Sequence, residues 1–429
     1  DRWLDMEIAR AVAAGDLLGG AAAPYDSAPA YGLVLGIAYR ALGLESIGPL
    51  VIQAFLGAAV SLLLYGAGRR LASEPAGLAA AALAAVYAPA IFYEGLTVKF
   101  AVVPFTVAVL LYALAVTTAN RSARAAAVTA GIATAILVAV RPNAVVVLPV
   151  ALGWIAWQRR DARAVATILL FAAGLVAVAA PLALRRTFAA ERGDAASLWG
   201  IHFYVGSQLD GDGGYVPVPG ISDDVVGHVE DARALAEANS GRALTPAEVS
   251  RYWFERGLAE IAREPGRYVR LLGRKLRRVA AEGEEGDFGD DYGSYAALSP
   301  VLRAGIGFGT IAPLAVLGLA VAVKGRPGLA WTATIAAAYA LSLLPFFVTG
   351  RYRLPIIPPL LLLAGAGTVW LARAWRSERS AAAVASLVLL GGAAILGASG
   401  AVLARLTTIV VVTVIAAVCR VPEGQPVRE

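Results

Sequence analysis

The sequence predicts an all-α polytopic membrane protein, and three observations carry that prediction. Of its 429 residues 59% are hydrophobic and only 16% charged, with a mean hydropathy of +0.68, a composition far more apolar than that of soluble domains. Apolar runs of bilayer-spanning length recur along the chain, at 47–67, 77–95, 98–118, 124–140, 143–158, 164–184, 300–322, 328–349, 354–372 and 381–403, with a weaker one at 406–419. Finally, the basic residues alternate between successive connections. Arg69, Arg70, Arg121, Arg124, Arg159, Arg160, Arg163, Lys324, Arg326, Arg373, Arg376 and Arg379 fall in one set of loops, against Lys99, Arg141, Arg351 and Arg353 in the other. The richer set is cytoplasmic by the positive-inside rule.

In chain order, residues 1–46 precede the first span and lie on the outer side. The opening "DRWLDMEIARAVAAGD" has no Met, signal peptide or apolar span before it, so it reads as a fragment whose first membrane helix is missing. "LDMEIARAVAAG" has the apolar spacing of a helix lying on the membrane surface, and "APAYGLVLGIAYRALG" is a more apolar one that dips into the interface. Transmembrane helices fill 47–184. Residues 185–297 form an outer-side helical domain, in which Thr245, Pro246 and Glu248 spell a capping box at a helix start. A second helix from Pro265 carries Arg267, Arg270, Arg274, Lys275 and Arg278 toward a phospholipid surface, with Leu271, Leu272 and Leu276 on its apolar side. Transmembrane helices resume over 298–419, and 420–429 is a polar tail.

Several function classes are excluded or disfavoured. A net charge of +6 and a pI near 9.5 would suit nucleic-acid binding in a soluble protein, but here the Lys and Arg sit in short tracts between apolar runs. One cysteine, Cys419, and two histidines, His202 and His228, rule out a Cys-based metal cluster and disfavour a His-rich one. "DGDGG" at 210–214 begins like a calcium loop, yet its twelfth position is Ile221 where a glutamate is needed, so it reads as a glycine-rich turn. There is no internal repeat, P-loop, dinucleotide fingerprint or nucleophile motif. No cofactor is implied, and a divalent metal is not indicated.

What remains is a set of charges at the outer ends of apolar spans: Asp1, Asp5 and Glu7 in the first segment, Glu94 and Lys99 in "FYEGLTVKF", Arg141 in "AVRPNAVV", and Arg351 and Arg353 flanking Tyr352 in "GRYRLPIIPP". Ionisable groups near membrane depth are costly, so they serve function or snorkel to the headgroups. Pro355, Pro358 and Pro359 break the helix beside the two arginines, freeing backbone groups that need protein or a wet cavity around them.

The motifs "DRWLDMEIARAVAAGDLLGG", "APYDSAPAYGLVLGIAYRALG", "APAIFYEGL", "VAVRPNAVVVLP", "GIHFYVGSQLDGDGGYVP" and "GRYRLPIIPPLLLLAG", in that order over about residues 1 to 375, resemble the bacterial C-type glycosyltransferases of the protein mannosyltransferase-like group (glycosyltransferase family 39). The resemblance implies a bundle of that fold in the cell membrane, with an active site on the outer or periplasmic face. It implies an inverting enzyme that moves a hexose or pentose from a polyprenyl-phosphate carrier to an acceptor, which is a glycan, lipid or protein. In register with the family's first-loop acid, Asp1 is the general base, with Asp5 the alternative; Glu94 is a second catalytic candidate. Arg353, Arg351 and Arg141, with Lys99 and Tyr352, are the candidate lipid-phosphate ligands, Arg353 being the first choice, and Tyr204 and Tyr215 are candidate acceptor-side residues. A guanidinium fork suits a phosphate, and its charge stabilises a leaving group that becomes more negative. Two features depart from the family pattern. "DSAPAY", with Ser27 and Pro29, stands where relatives carry a lysine-proline pair, and no second aspartate is evident in the next outer loop.

Two other functions fit a basic polytopic protein. A lipid-sugar flippase or transporter usually shows repeated halves and charges midway along its spans, whereas these charges gather at span ends. An O-antigen ligase or polymerase shares the outer loop and the arginines but has no first-loop acid.

Overall fold

The computed structural model describes residues 2–16, 30–42, 47–119, 123–158, 162–191, 198–223, 225–284, 286 and 291–377. Among these the chain is all-α, with no named strand and one isolated bridge. Asp1, the spans expected at 381–403 and 406–419, Cys419 and the 420–429 tail lie outside the described residues.

Helices α1 (Arg2–Ala13) and α2 (Ala30–Leu42) form a hairpin. The apolar side of α1, through Ile8, Ala9 and Val12, is buried, and Ala9 packs with Tyr31, Leu35 and Tyr39 of α2. The apolar side of α1 is thus turned toward α2. In α2, Val34 and Ile37 are the large apolar side chains left exposed. The bundle follows: α3 (Gly48–Leu71), α4 (Glu74–Ala85), α5 (Ala88–Glu94), α6 (Val103–Ala119), α7 (Arg124–Val140), α8 (Val147–Gln158), α9 (Ala162–Glu191), α15 (Pro300–Ala304), α16 (Phe308–Val323), α17 (Pro327–Ser342) and α18 (Ile357–Ser377). Between α9 and α15 come α10 (Trp199–Ser207), α11 (Val225–Ser240), α12 (Pro246–Arg263), α13 (Pro265–Ala280) and α14 (Tyr292–Leu298). Among the described residues four helical stretches, Gly48–Leu71, Lys99–Ala119, Ala164–Leu184 and Gly350–Ser377, are long and apolar enough to cross a membrane. On α3 and α9, Phe55, Leu62, Leu169 and Val176 are exposed, as a lipid-facing surface requires.

Small residues let the helices close up. A Cβ on Gly131 of α7 would strike the Phe171 carbonyl of α9, and one on Gly174 would strike the Val128 carbonyl in return. Gly318 of α16 and Gly367 of α18 stand in the same relation to Leu363 and Leu314. The run read as one span over 77–95 is broken between α4 and α5. There the freed backbone is satisfied by a distant segment: Ala88 N donates to Ile306 O (2.9 Å) and Ile306 N to Val86 O (2.8 Å), the form that irregular backbone takes when buried in protein. The run 300–322 is likewise two helices, α15 and α16.

The capping box at α12 is present, with Glu248 N donating to the Thr245 hydroxyl and the Glu248 carboxylate accepting from Thr245 N. The helix α13 differs from its sequence reading. Arg274 donates to Leu209 O (2.8 Å), Arg278 pairs with Asp212 (2.7 Å), Arg267 pairs with Asp210, and buried Lys275 donates to Gly206 O (2.6 Å) and Leu344 O (2.7 Å). Most of the basic face expected on lipid is therefore turned inward, because the 206–212 loop presents it with carboxylates and open carbonyls; Arg270 remains exposed. The "DGDGG" turn is fitted to the same helix, with Gly213 at φ +100° lying against Lys275. A small core of Ile201, Val205, Val218, Ile221, Ala232 and Trp253 includes Phe347 from the turn after α17, and so docks this domain on one end of the bundle.

Candidate functional site

Three spans enter the bundle through short 3-10 segments: Lys99–Val102 before α6, Pro142–Val146 before α8 and Gly350–Ile356 before α18. Proline explains two of them. Pro142 and Pro355 lack the N–H that an α-helix would use, and Arg141 closes α7 by donating its N–H to Leu137 O (2.8 Å). Each segment places a cation at the same end of the bundle.

Those cations meet around two aromatic rings. The Arg141 guanidinium lies 4.3 Å from the centre of Phe100 and 4.1 Å from that of Tyr352. Arg351 lies 4.7 Å from Phe100 and Lys99 5.7 Å. Arg141 also donates to the Arg351 carbonyl (3.3 Å), and among the described residues its Nε finds no partner. The carboxylate that joins them is Asp5, 2% exposed, with Lys99 as its charged neighbour and Oδ2 without a hydrogen bond among the described residues. Burial raises Asp5 to about 6, against the pull of Lys99. Lys99 thus has one carboxylate, Asp5, and two further cations, Arg141 and Arg351, as charged neighbours, and the cluster carries an excess of positive charge. His202 on α10 stands beside it; burial first, then His228, Lys99, Arg351 and Arg141, push it down to about 3.

Arg353 is placed differently. It is 2% exposed, pairs with the Glu284 carboxylate at 2.8 Å, donates to the carbonyls of Gly283 (2.6 Å) and Ala281, and covers Phe308 at 4.8 Å. Its donors are committed to the loop after α13. Glu94 also lies apart: its carboxylate sits over Gly57 of α3, where a side chain would collide with it, and its carbonyl accepts from Gln53 (2.8 Å). Tyr204 stacks near Trp253 (5.0 Å) and Arg256 (5.7 Å). Tyr215 reaches Phe347 (5.3 Å) and Asp223 (3.3 Å). Asp1 lies outside the described residues, so the structure brings together Asp5, Lys99, Arg141, Arg351 and Tyr352 from the sequence candidates. Phe100, Phe347 and His202 went unread; the signals were the "KF" that sets an aromatic beside Lys99 and the "IHFY" that opens α10.

Fold and site define a helical membrane protein with a partly buried, predominantly cationic site at one end of its bundle. The sequence matches no protein-family profile and no curated relative. Among solved structures it is similar to the archaeal oligosaccharyltransferase AglB from Archaeoglobus fulgidus in complex with an inhibitory peptide and a dolichol-phosphate, at 12% identity and TM-score 0.44. It is also similar to the apo Archaeoglobus fulgidus oligosaccharyltransferase, at 13% identity and TM-score 0.43. Each match covers 97% of this chain and 51% of the other, so the chain spans about half the length of the proteins it matches.

Proposed function

We propose that this chain is a membrane glycosyltransferase that takes a sugar from a polyprenyl-phosphate carrier on the outer face of the cell membrane. The observation that carries the reading is the convergence of Lys99, Arg141 and Arg351 from three separate span entries beside the buried Asp5. In the reaction the acceptor hydroxyl attacks the anomeric carbon, the bond from that carbon to the phosphate oxygen breaks, and the acceptor proton passes to a carboxylate. The carrier phosphate changes from a diester of charge −1 to a monoester of charge −2. A cation at about 4 Å interacts with the added charge by roughly 4 kcal/mol at an effective dielectric of 20, before screening. Cations so placed favour the transition state over the ground state. The reaction as written needs no cofactor.

Asp5 is the proposed base, because a carboxylate near 6 is deprotonated at neutral pH and basic enough to take the proton. Asp1, which the family register favours, is the comparison. Arg351 and Arg141, with Lys99, are the proposed phosphate ligands, and Arg353 becomes a brace. The full-length protein in lipid nanodiscs tests this: it should bind farnesyl phosphate, and the double variant R141M/R351M should not. Transfer from a polyprenyl-phosphate sugar should fall by at least 100-fold in Asp5→Asn and by far less in Asp1→Asn; the reverse order would return the base to Asp1. Carrier translocation across vesicles with no glycoside formed would make the protein a flippase.

A further inference from the structure

One polar side chain beside the cationic cluster has no hydrogen-bond partner among the described residues. His202 is partly exposed, and among the described residues no hydrogen bond reaches its ring. The ring is perpendicular to that of Phe347 at 5.7 Å and 89°, and lies 6.1 Å from His228. His228 in turn is fixed, its Nδ1 lying 3.2 Å from the Ser222 carbonyl. Phe347 continues to Tyr352 (5.4 Å), the ring that Arg141 covers at 4.1 Å. An unbroken file of aromatic rings therefore leads from the cations to His202. Because the neighbouring charges and the surrounding protein keep this imidazole neutral, it offers one acceptor and one donor nitrogen at any physiological pH.

We infer that His202 recognises the sugar of the donor, hydrogen-bonding one of its hydroxyls while Phe347 and Tyr352 support the apolar face of the ring. The inference rests on the phosphate reading of the cluster. A neutral imidazole is a poor competitor for a phosphate already faced by three cations. A sugar bonded through its anomeric oxygen to that phosphate extends its hydroxyls away from the cations, and His202 lies on that way out, with Phe347 between it and Tyr352. A histidine kept for structure at this depth would be bonded to a carbonyl or carboxylate, as His228 is bonded near Ser222; His202 is held by ring packing alone, with its polar edge left for something else.

The test compares farnesyl phosphate with farnesyl phosphates bearing mannose, glucose, galactose or arabinose, binding to the full-length protein in nanodiscs. Wild type should bind one sugar-bearing ligand more tightly than the bare phosphate. His202→Phe, which keeps the ring packing on Phe347 and removes both nitrogens, should lower that advantage by about 3- to 10-fold, the worth of one neutral hydrogen bond. It should leave the affinity for farnesyl phosphate unchanged, and His202→Gln should restore part of the difference. Equal losses for sugar-bearing and bare phosphates would make His202 structural and overturn the inference, as would an undiminished preference in His202→Phe. Equal wild-type affinity for all five ligands would also overturn it while leaving the phosphate site standing. A wild type that binds none of the five would remove the phosphate reading itself, and this inference with it.

Discussion

Arg351 and Arg353 are two residues apart and are expected to fail in opposite ways. Arg353→Met deletes one half of a buried ion pair: the Glu284 side chain, 4% exposed, loses its 2.8 Å partner, and the Gly283 and Ala281 carbonyls lose their donor. Removing one member of a buried pair costs about 3 to 5 kcal/mol, a large share of the ~5 to 15 kcal/mol by which folded domains are held together. The melting temperature should therefore drop markedly, while the protein that remains folded keeps its affinity for farnesyl phosphate. Replacing both members, in E284Q/R353M, should recover much of the loss, since no buried charge is then left alone. Arg351→Met removes cation–π contacts with Phe100 and Tyr352 worth about 0.5 to 2 kcal/mol each. It also removes one of three charges facing the phosphate; allowing for screening and for Lys99 and Arg141, which remain, farnesyl phosphate affinity should fall about 10- to 100-fold. Tryptophan fluorescence during heating in nanodiscs reads the first quantity, and isothermal titration the second. An Arg353→Met protein that melts like wild type but no longer binds, beside an Arg351→Met protein that binds normally, would refute this division of labour.

Three further outcomes follow from the same geometry. Asp5 is raised from 3.8 to about 6, so between those values the native state keeps a proton that the unfolded chain has lost. Stability then falls as pH rises through that window, by about 3 kcal/mol in total; Asp5→Asn should melt higher than wild type at pH 7.5, with the gain fading below pH 4, and the acid limb of wild-type turnover should lie near 6. At the α7–α9 contact, Gly174→Val puts two methyl groups against the Val128 carbonyl and should lower the yield of folded protein in detergent, whereas valine at the uncrowded Gly273 should cost under about 1.5 kcal/mol, measured by the same melting assay. Lys275→Met leaves the carbonyls of Gly206 and Leu344 without their buried donor, an expected loss of about 1 to 3 kcal/mol per group, and hydrogen exchange should quicken first around residues 206–214.

The spans were legible because length and apolarity alone decide what lies in a bilayer, and most runs read from the sequence return as helices within a few residues. The break at Val86–Tyr87 was not legible: the run is uniformly apolar, and what permits the break is Ile306, far along the chain, completing the backbone. The inward turn of α13 escaped for a related reason. A basic amphipathic helix looks the same in sequence whether its charges meet lipid phosphates or the Asp210 and Asp212 of another loop. At the site, residue types and the end of the bundle could be read, and the spacing of two implied different surroundings for Arg351 and Arg353. Which arginine would meet a carboxylate depended on Glu284, brought in by the folding of the intervening domain. Register with a family motif carries no information about burial, so the place of Asp5 beside Lys99 is not legible in the sequence.

The arrangement also explains why the irregular backbone is concentrated where it is. A continuous α-helix spends its N–H and C=O groups on itself, and its first turn projects side chains around the whole circumference. The 3-10 entries at Lys99–Val102, Pro142–Val146 and Gly350–Ile356 delay the helix by about a turn, which leaves carbonyls such as that of Arg351 open for the guanidinium of Arg141 and directs cations from separate spans toward one another. Irregular backbone at membrane depth is tolerated only within protein or beside a wet cavity. Like charges gathered there, offset by a single carboxylate, repel one another, and apolar side chains would pack this end of the bundle at lower cost. An anion removes that repulsion. The segments that are least favourable for a membrane bundle standing alone are therefore the ones that, on the function proposed above, would hold a phosphate, and the same electrostatics would strengthen that hold as the charge of the leaving group grows.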